Sequence, residues 1–234
     1  MILHHRVGEV KFRIGAYSSG SITVADTTKP AAPQISYTYD SIEKTSLSLS
    51  SLFDATDMIQ IVRFAFKVTL SASNSDTVSH TLNYEIYVDG SLAASGSVMV
   101  PGGGSTTQVE VFAKEYPTDR DALVEVYMWA DTADVITVSV SISAGVGSES
   151  TSEQDVIHIF AGGEVAVFAS FGATGTAAYT WTLRSIFSDV RLAYYTNDDM
   201  VFVAPAPPLK LTLKTDTSGE IAYVTGIVVF SKPW

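Results

Sequence analysis

The sequence predicts an all-β protein built from two β-sandwich domains. Apolar and polar residues alternate with a period of two along most of the chain, as in Val10-Lys11-Phe12. Turn residues such as Asp89-Gly90 and Ser218-Gly219 separate the alternating runs. No stretch of ten residues places apolar side chains at helical spacing. A chain of 234 residues is long enough to bury two such cores.

The first sandwich is predicted over residues 46–144. Its expected strands have the spacing typical of a sandwich and lie at 47–50, 59–70, 80–88, 92–100, 106–112, 123–130 and 135–143. Residues 145–154 are small and polar, which predicts a linker. The second sandwich is predicted over residues 155–234, with a jelly-roll-like arrangement in which the prolines at 205–208 occupy a loop or a sheet edge.

Residues 1–45 hold N-terminal strands at 7–15 and 21–25, and two alternatives stay open for them. They open the second sandwich, which makes the first one an insertion, or they form an arm that pairs with a neighbouring subunit. Because an isolated hairpin is marginally stable in water, another element must cover these strands in either case.

A pattern of strand, glycine-rich turn and hydroxyl-rich strand runs through the first sandwich. Its motifs are FKVTL at 66–70, YEIYVDG at 84–90 and SVMVPGGGSTT at 97–107. With these motifs, residues 61–144 resemble the Ig-like modules, of the cell-adhesion-related type, found in archaeal and bacterial surface proteins. The two-sandwich chain also loosely resembles the capsid, penton or turret proteins of archaeal and bacterial icosahedral viruses. Both resemblances imply a structural or adhesive role.

The charge balance excludes several function classes. The net charge is −11, and only 17% of the residues are charged. An acidic chain is poorly suited to nucleic acid, whose binders need a basic face, and to anionic membranes. The absence of cysteine excludes disulfides, thiolate metal sites and cysteine nucleophiles. No apolar run reaches the length of a membrane span.

Hydroxyl side chains replace the missing charges. The chain holds 28 Ser and 24 Thr, but only three Asn and four Gln. This composition suits a hot, acidic exterior, as for a thermophile, and equally an ordinary secreted β protein. Because few cations are present to pair with the acids, we expect stability to be retained at low pH. The start of the chain lacks the apolar stretch of a secretory signal, so we expect assembly inside a cell unless a signal was removed.

The candidates for catalysis or metal binding all have a simpler structural interpretation. His4 and His5 lie at the terminus, His80 lies near a turn, and His158 alternates with apolar neighbours. The acidic clusters at 119–121, 131–134 and 197–199 could supply Ca²⁺ ligands, but each stands where a β-turn favours Asp or Asn. The glycine run at 102–104 lacks the lysine and the helix of a phosphate loop.

Four aromatic residues leave three alternatives open. Tyr179, Trp181, Tyr194 and Tyr195 could form a platform for sugars, part of the core, or a subunit interface. Alternation places Tyr179 and Trp181 on one face of a strand, which a core also requires.

The sequence therefore predicts a structural subunit of a virion, as a capsid, vertex or spike protein. Its partners would be itself and other structural subunits, with no enzymatic activity, no cofactor and no metal. The alternatives are an extracellular adhesion or surface-filament module, or a carbohydrate-binding sandwich. The candidate interface residues are Val10, Phe12 and Ile14 of the first strand and the terminal Trp234, because large apolar groups at chain ends often anchor interfaces. Alternatively, both ends fold back on their own sandwich.

Overall fold

The computed structural model of the protein describes residues 6–45, 58–161 and 163–232. These residues form strands and no helix, which confirms the all-β prediction. None of the described segments contains a helix with the length and apolar character needed to cross a membrane. The strands are β1 (Arg6–Phe12), β2 (Gly15–Ser18), β3 (Ile22–Thr23), β4 (Ile35–Asp40), β5 (Ile42–Thr45), β6 (Ile59–Ile61), β7 (Arg63–Asn74), β8 (His80–Val88), β9 (Ser91–Val100), β10 (Ser105–Glu115), β11 (Asp121–Ala130), β12 (Ile136–Ser148), β13 (Gln154–Ile159), β14 (Gly163–Ala173), β15 (Tyr179–Ser185), β16 (Arg191–Thr196), β17 (Met200–Ala206), β18 (Leu209–Thr215) and β19 (Ala222–Lys232).

The strands form three antiparallel sheets. The largest has ten strands and contains the path β10-β7-β12-β19-β1-β5, with β2 and β3 along β12, β14 beside β19, and β17 beside β14. A four-stranded sheet, β4-β11-β8-β9, packs on the part around β7 and β12. A five-stranded sheet, β16-β15-β18-β13-β6, packs on the part around β14 and β19. The ten-stranded sheet therefore supplies one layer to each of two sandwiches.

The first sandwich is a jelly roll. Taken with β2 and β3 as its first strand, it contains eight strands, and they pair as one long hairpin does when it is rolled up. The first pairs with the eighth (β2–β12), the second with the seventh (β4–β11), the third with the sixth (β7–β10) and the fourth with the fifth (β8–β9). Each strand therefore has a neighbour that is fixed by this path.

The second sandwich repeats the same path. Here the pairs are β1–β19, β13–β18, β14–β17 and β15–β16. Since β1 precedes the whole first jelly roll in the chain, the first jelly roll is nested between the first and second strands of the second one. Two short strands from within the first jelly roll, β5 and β6, add to the edges of the second at β1 and β13.

Two glycines allow the two jelly rolls to share a sheet. At its end β12 leaves β7 and pairs with the start of β19, where Gly147 lies opposite Tyr223. A Cβ on Gly147 would lie 1.9 Å from the carbonyl oxygen of Ala222, and one on Gly145 would lie 2.7 Å from the Cβ of Tyr223. Both positions require glycine because backbone and ring approach closely there.

Aromatic side chains fill the space between the layers of each sandwich. In the first jelly roll, the Tyr39 ring meets Phe64 and Phe66 edge-on, at centroid distances of 5.5 and 5.9 Å. In the second, Phe171 of β14 stacks on Trp181 of β15 at 6.0 Å. These rings bury the large apolar areas that stabilise a sandwich.

The path of the chain bears on two sequence-based assignments. The Ig-like details predicted for residues 61–144 are not confirmed, and these residues pair in jelly-roll order instead. The predicted linker at 145–154 begins inside β12, which stays buried through Ser148 because Gly145 and Gly147 let it pass close to β19. The division of the chain into domains at 46–144, 145–154 and 155–234 stays a prediction.

Candidate assembly surface

The outer surface of the second jelly roll carries an apolar sheet face. In an antiparallel sheet with one face in water, the outward positions are usually polar. Here six neighbouring outward positions of three strands, β17, β14 and β19, are apolar, while β14 has Glu164 and Ser170 at the outward positions on either side of them. We call this set the outer apolar face, and its members are Ala166, Phe168, Val201, Val203, Val228 and Phe230.

Strand register assembles these residues into two rows. Phe168 lies opposite Val201 on one side and Val228 on the other. In the next row, Ala166 has Val203 and Phe230 as its neighbours in the same way. Because directly opposite side chains lie within contact distance, the rows form a continuous surface.

This face is open to water. Val201 and Val203 are each 70% exposed, and the rings of Phe168 and Phe230 meet edge-on at 6.1 Å while staying partly exposed. At one end of the face, a shallow depression of about 490 Å³ is lined by Glu164, Val203, Pro205 and Phe230. Its walls are largely apolar, so the depression fits an apolar side chain better than a polar substrate.

A second apolar area lies at the edge strand β16. Its side chains are exposed at five of six positions, including Tyr194 at 56% and Tyr195 at 62%. The guanidinium of Arg191 lies 4.5 Å from the centre of the Tyr194 ring. The turn before β16 adds Phe187, which is 79% exposed. This concentration of exposed rings is typical of an interaction surface.

The exposed apolar residues are unevenly distributed between the two jelly rolls. Of the sixteen large hydrophobic residues that are exposed in the described part of the chain, ten lie beyond residue 159. The sequence contains one signal for this asymmetry, because β17 reads Met200-Val201-Phe202-Val203-Ala204 and is apolar at both alternating positions. Such a run indicates a strand with two apolar faces.

The residues named from the sequence as interface candidates lie elsewhere. Val10 and Phe12 are 1% and 2% exposed and face the core of the chain, since β1 is held between β19 and β5. Ile14, just after β1, is 45% exposed. Trp234 lies outside the described residues. An assembly role for these four residues stays a prediction, and of the three that the structure describes, Ile14 lies at the surface.

The four aromatic candidates do not form one platform. Trp181 is 2% exposed, and its indole N–H donates to the carbonyl oxygen of Asp198 at 2.8 Å. Tyr179 is half-buried and packs on Phe171. Tyr194 and Tyr195 are exposed, but as successive residues of a strand they point to opposite faces. Trp181 therefore belongs to the core, and the two exposed tyrosines belong to the β16 edge.

His80 makes a structural contact at one end of the first jelly roll. Its two ring nitrogens lie 3.0 Å from an Asp76 oxygen and 2.9 Å from an Asp131 oxygen. These two carboxylates, Asp76 above all, raise the pKa of His80 because they favour the charged ring. In return, the hydrogen bond from His80 helps lower the pKa of Asp76. The group ties the turn after β7 to the turn after β11.

The second jelly roll holds a half-buried ionic network on its five-stranded sheet. Burial raises the pKa of Glu153, but hydrogen bonds from Arg184 and Thr182 outweigh it and leave the pKa lowered. The pKa of Asp155 is lowered, first by the ring of His158, whose Nε2 lies 3.6 Å from the carboxylate, and then by Lys210. The charges in this network are therefore paired with one another. His158 has a structural partner here, and His4 and His5 lie outside the described residues.

The acidic clusters are turns. Asp134 and Asn197 have φ angles of 61° and 54°, a conformation that Asp and Asn tolerate better than most residues. Across residues 6–45, 58–161 and 163–232, no group of three or more His, Asp or Glu side chains is arranged to hold a metal ion. The polar clusters described above are formed by side chains that contact one another. The outer apolar face and the β16 edge, in contrast, are exposed to solvent.

Comparisons with known proteins give weak likenesses. No protein-family model and no curated protein sequence match the chain. Among solved structures, the STIV MCP, a viral capsid protein, is 10% identical with a TM-score of 0.26, covering 95% of this chain and 98% of the other. PNGF-II is 7% identical with a TM-score of 0.29, and the match covers 95% of this chain and 66% of the other. A chain in the structure of infectious bursal disease virus, Gx strain, is 12% identical with a TM-score of 0.27, and the match covers 98% of this chain and 42% of the other. These likenesses concern the all-β fold and carry no activity with them.

Proposed function

We propose that the protein is a structural subunit of a virion, in its shell, at a vertex or in a spike, and that it acts by assembling with itself and other structural subunits. The observation that carries this proposal is the outer apolar face. Burying apolar surface contributes roughly 25 cal/mol for each Å². A solvated sheet face covered with valine and phenylalanine is therefore a surface that gains stability from a partner.

The connection between the two jelly rolls supports a structural role. The two jelly rolls share one ten-stranded sheet, so hydrogen bonds cross the boundary between them. Arg63, in β7, adds to this connection, since its guanidinium forms an ion pair with Glu149 at 3.1 Å and donates a hydrogen bond to the side-chain oxygen of Gln154 at 3.0 Å, both beyond the end of β12. Paired polar groups and unpaired apolar ones together favour assembly over catalysis, and we propose no catalytic role, cofactor or metal.

The test compares two glutamate substitutions at equally exposed apolar positions. Val203 on the outer apolar face is 70% exposed, and Met99 on β9 of the first jelly roll is 67% exposed. A charge buried in an interface without a partner is strongly unfavourable. Val203→Glu is expected to abolish assembly into particles, and Met99→Glu to leave it intact. Both variants should melt like the parent protein, because neither side chain is in the core.

Sedimentation and electron microscopy of the purified protein measure the outcome. Discrete closed or vertex-like particles, lost in Val203→Glu alone, support the virion role. Long filaments would favour a surface-filament module instead. A protein that stays monomeric at all concentrations, or one whose assembly ignores Val203→Glu, would contradict the proposal.

A further inference from the structure

The edge strand β16 has an unpaired side. It lies at the end of the five-stranded sheet and pairs only with β15 in the described part of the chain. Next to its end, the N–H of Asn197 donates to the carbonyl oxygen of Tyr179 at 3.0 Å. Because backbone groups alternate in direction along an antiparallel strand, Tyr195 and Ala193 face β15. Tyr194 and Thr196 therefore present their N–H and C=O groups at the free edge.

The equivalent strand of the first jelly roll is protected. There β9 and β10, the fifth and sixth strands, contact each other along the side of the sandwich. Contact between β16 and β17 is sparser, which leaves β16 exposed on both faces. Natural edge strands are usually covered or charged, since an open edge pairs readily with another strand. An exposed edge with aromatic side chains is a template for strand addition.

We propose that β16 pairs antiparallel with β16 of a second copy of this chain, with Tyr194 opposite the partner subunit's Tyr194. The five-stranded sheets of the two copies then form one continuous sheet across a two-fold axis. In such an isologous contact, each surface must be complementary to itself. The inference rests on the proposed function, because it names the surface through which the first assembly step occurs.

Charge placement argues for a second copy as the occupant. Arg191 begins β16, and Asp198 and Asp199 follow its end. Antiparallel pairing about Tyr194 brings Arg191 of each copy beside the partner's acidic turn, so two opposite-charge contacts form at once. A chain with a net charge of −11 repels its copies over most surfaces. At β16 the order of charges along the strand converts that repulsion into attraction.

Two charge reversals test this arrangement. Arg191→Glu alone places like charges at both contacts, and Asp198→Lys alone does the same with opposite sign. Each variant is expected to raise the dimer dissociation constant at least about tenfold. An equimolar mixture of the two variants places opposite charges at both contacts again. Sedimentation of the mixture is expected to recover the dimer, with both variants in it.

A proline substitution at Tyr194 tests the pairing of β16 with a second copy independently. Tyr194→Pro removes an N–H that faces the free edge, so pairing with β15 is kept and pairing with a second copy is lost. Its circular dichroism and melting temperature should match those of the parent protein, while its mass falls to that of a monomer.

The outcomes separate this inference from the proposed function. If the parent protein assembles and all of these variants keep its mass, assembly uses another surface and the β16 inference is wrong, while the assembly function stands. If each reversal abolishes dimers and the mixture does not restore them, the antiparallel two-fold arrangement is wrong. If the parent protein is monomeric over about a hundredfold range of concentration, both the inference and the proposed function fail.

Discussion

The two jelly rolls follow the same path with different outer surfaces. The fifth and sixth strands of the first are β9 and β10, and those of the second are β16 and β17. Strand β10 carries Glu110, Lys114 and Glu115, whereas β17 carries no charged residue. Strand β9 is rich in serine and alanine, whereas β16 carries two exposed tyrosines.

The inner faces of the two jelly rolls show no such contrast. In β8 of the first, buried and half-buried residues alternate without exception, and β18 of the second is buried at five of seven positions. Both layers close on aromatic rings. Inward-facing residues therefore determine the shared path, while the outward-facing residues are free to differ, and they differ where a partner is proposed.

Core substitutions should have the largest effects, and they should be equal in the two jelly rolls. Phe66→Ala in the first and Trp181→Ala in the second each remove a buried ring, with an expected loss of roughly 3–5 kcal/mol of unfolding free energy. Denaturant unfolding with tryptophan fluorescence and circular dichroism measures both. A loss confined to one variant would break the equivalence of the two cores.

The junction between the jelly rolls should be the next most sensitive place. Gly147→Ala adds a Cβ that would lie 1.9 Å from a backbone oxygen, which forces β12 and β19 apart. We expect a loss of about 2–3 kcal/mol. Gly20→Ala is the matched control, because a Cβ there meets nothing within 4 Å. Equal melting temperatures for the two variants would show that the shared sheet is not needed.

Acid should destabilise the second jelly roll through its carboxylates. The folded pKa of Glu153 lies below its ordinary value of 4.5, so its stabilisation is present above that value and is lost as the pH falls through the lower folded pKa. Glu153→Gln is expected to cost on the order of 1 kcal/mol at pH 7 and less at pH 3. Thermal unfolding from pH 7 to pH 3 measures whether the stability difference between Glu153→Gln and the parent protein becomes smaller. Glu125→Gln on the first jelly roll is the control.

This expectation differs from the one drawn from composition, which stays a prediction. Six described carboxyl groups have lowered pKa values, and cations or hydrogen-bond donors surround them. The few cations of the chain are concentrated where they pair with acids, so acid removes more native ion pairing than their number suggests. If the parent protein is as stable at pH 3 as at pH 7, the expectation from composition is supported.

The smallest effects on stability should come from the outer surfaces. Val201→Thr with Val203→Thr exchanges a methyl for a hydroxyl at two positions on β17, and Val109→Thr does so on β10. Each variant is expected to change the unfolding free energy by less than about 0.5 kcal/mol. Only the β17 variant should weaken self-association, as measured by light scattering. Equal behaviour of the two variants would remove the proposed difference between the outer surfaces.

Local patterns predicted the strands well, because alternation reports directly which side chains are buried. The strand expected at 80–88 is β8 within the same bounds. The run at 59–70 is broken at Val62 into β6 and β7, which join different sheets, and no alternation in the sequence marks that break.

Partnerships between strands were harder to predict. Alternation tells which face of a strand is buried and leaves its neighbours open, so the pairing of β1 with β19 is visible only in the fold. Because the sequence does not identify the neighbours of β1, it favours the chain ends as the assembly interface. From the sequence, the strand that contains Val10 could be an unpaired arm, but in the fold it pairs with β19 on one side and β5 on the other.

Nesting sets the order in which the protein can fold. All strands of the first jelly roll lie between Gly15 and Ser148, so it can form before the rest of the chain has left the ribosome. Strand β1 must wait, since Arg6 pairs with Ser231. Closing so long a loop from an unfolded chain is slow and entropically costly. Once the first jelly roll has formed, the pairing of β2 with β12 holds Gly15 beside Ala144. The distance that β1 must then search to find β19 is short. The inserted sandwich thus acts as a folding template for the one that encloses it.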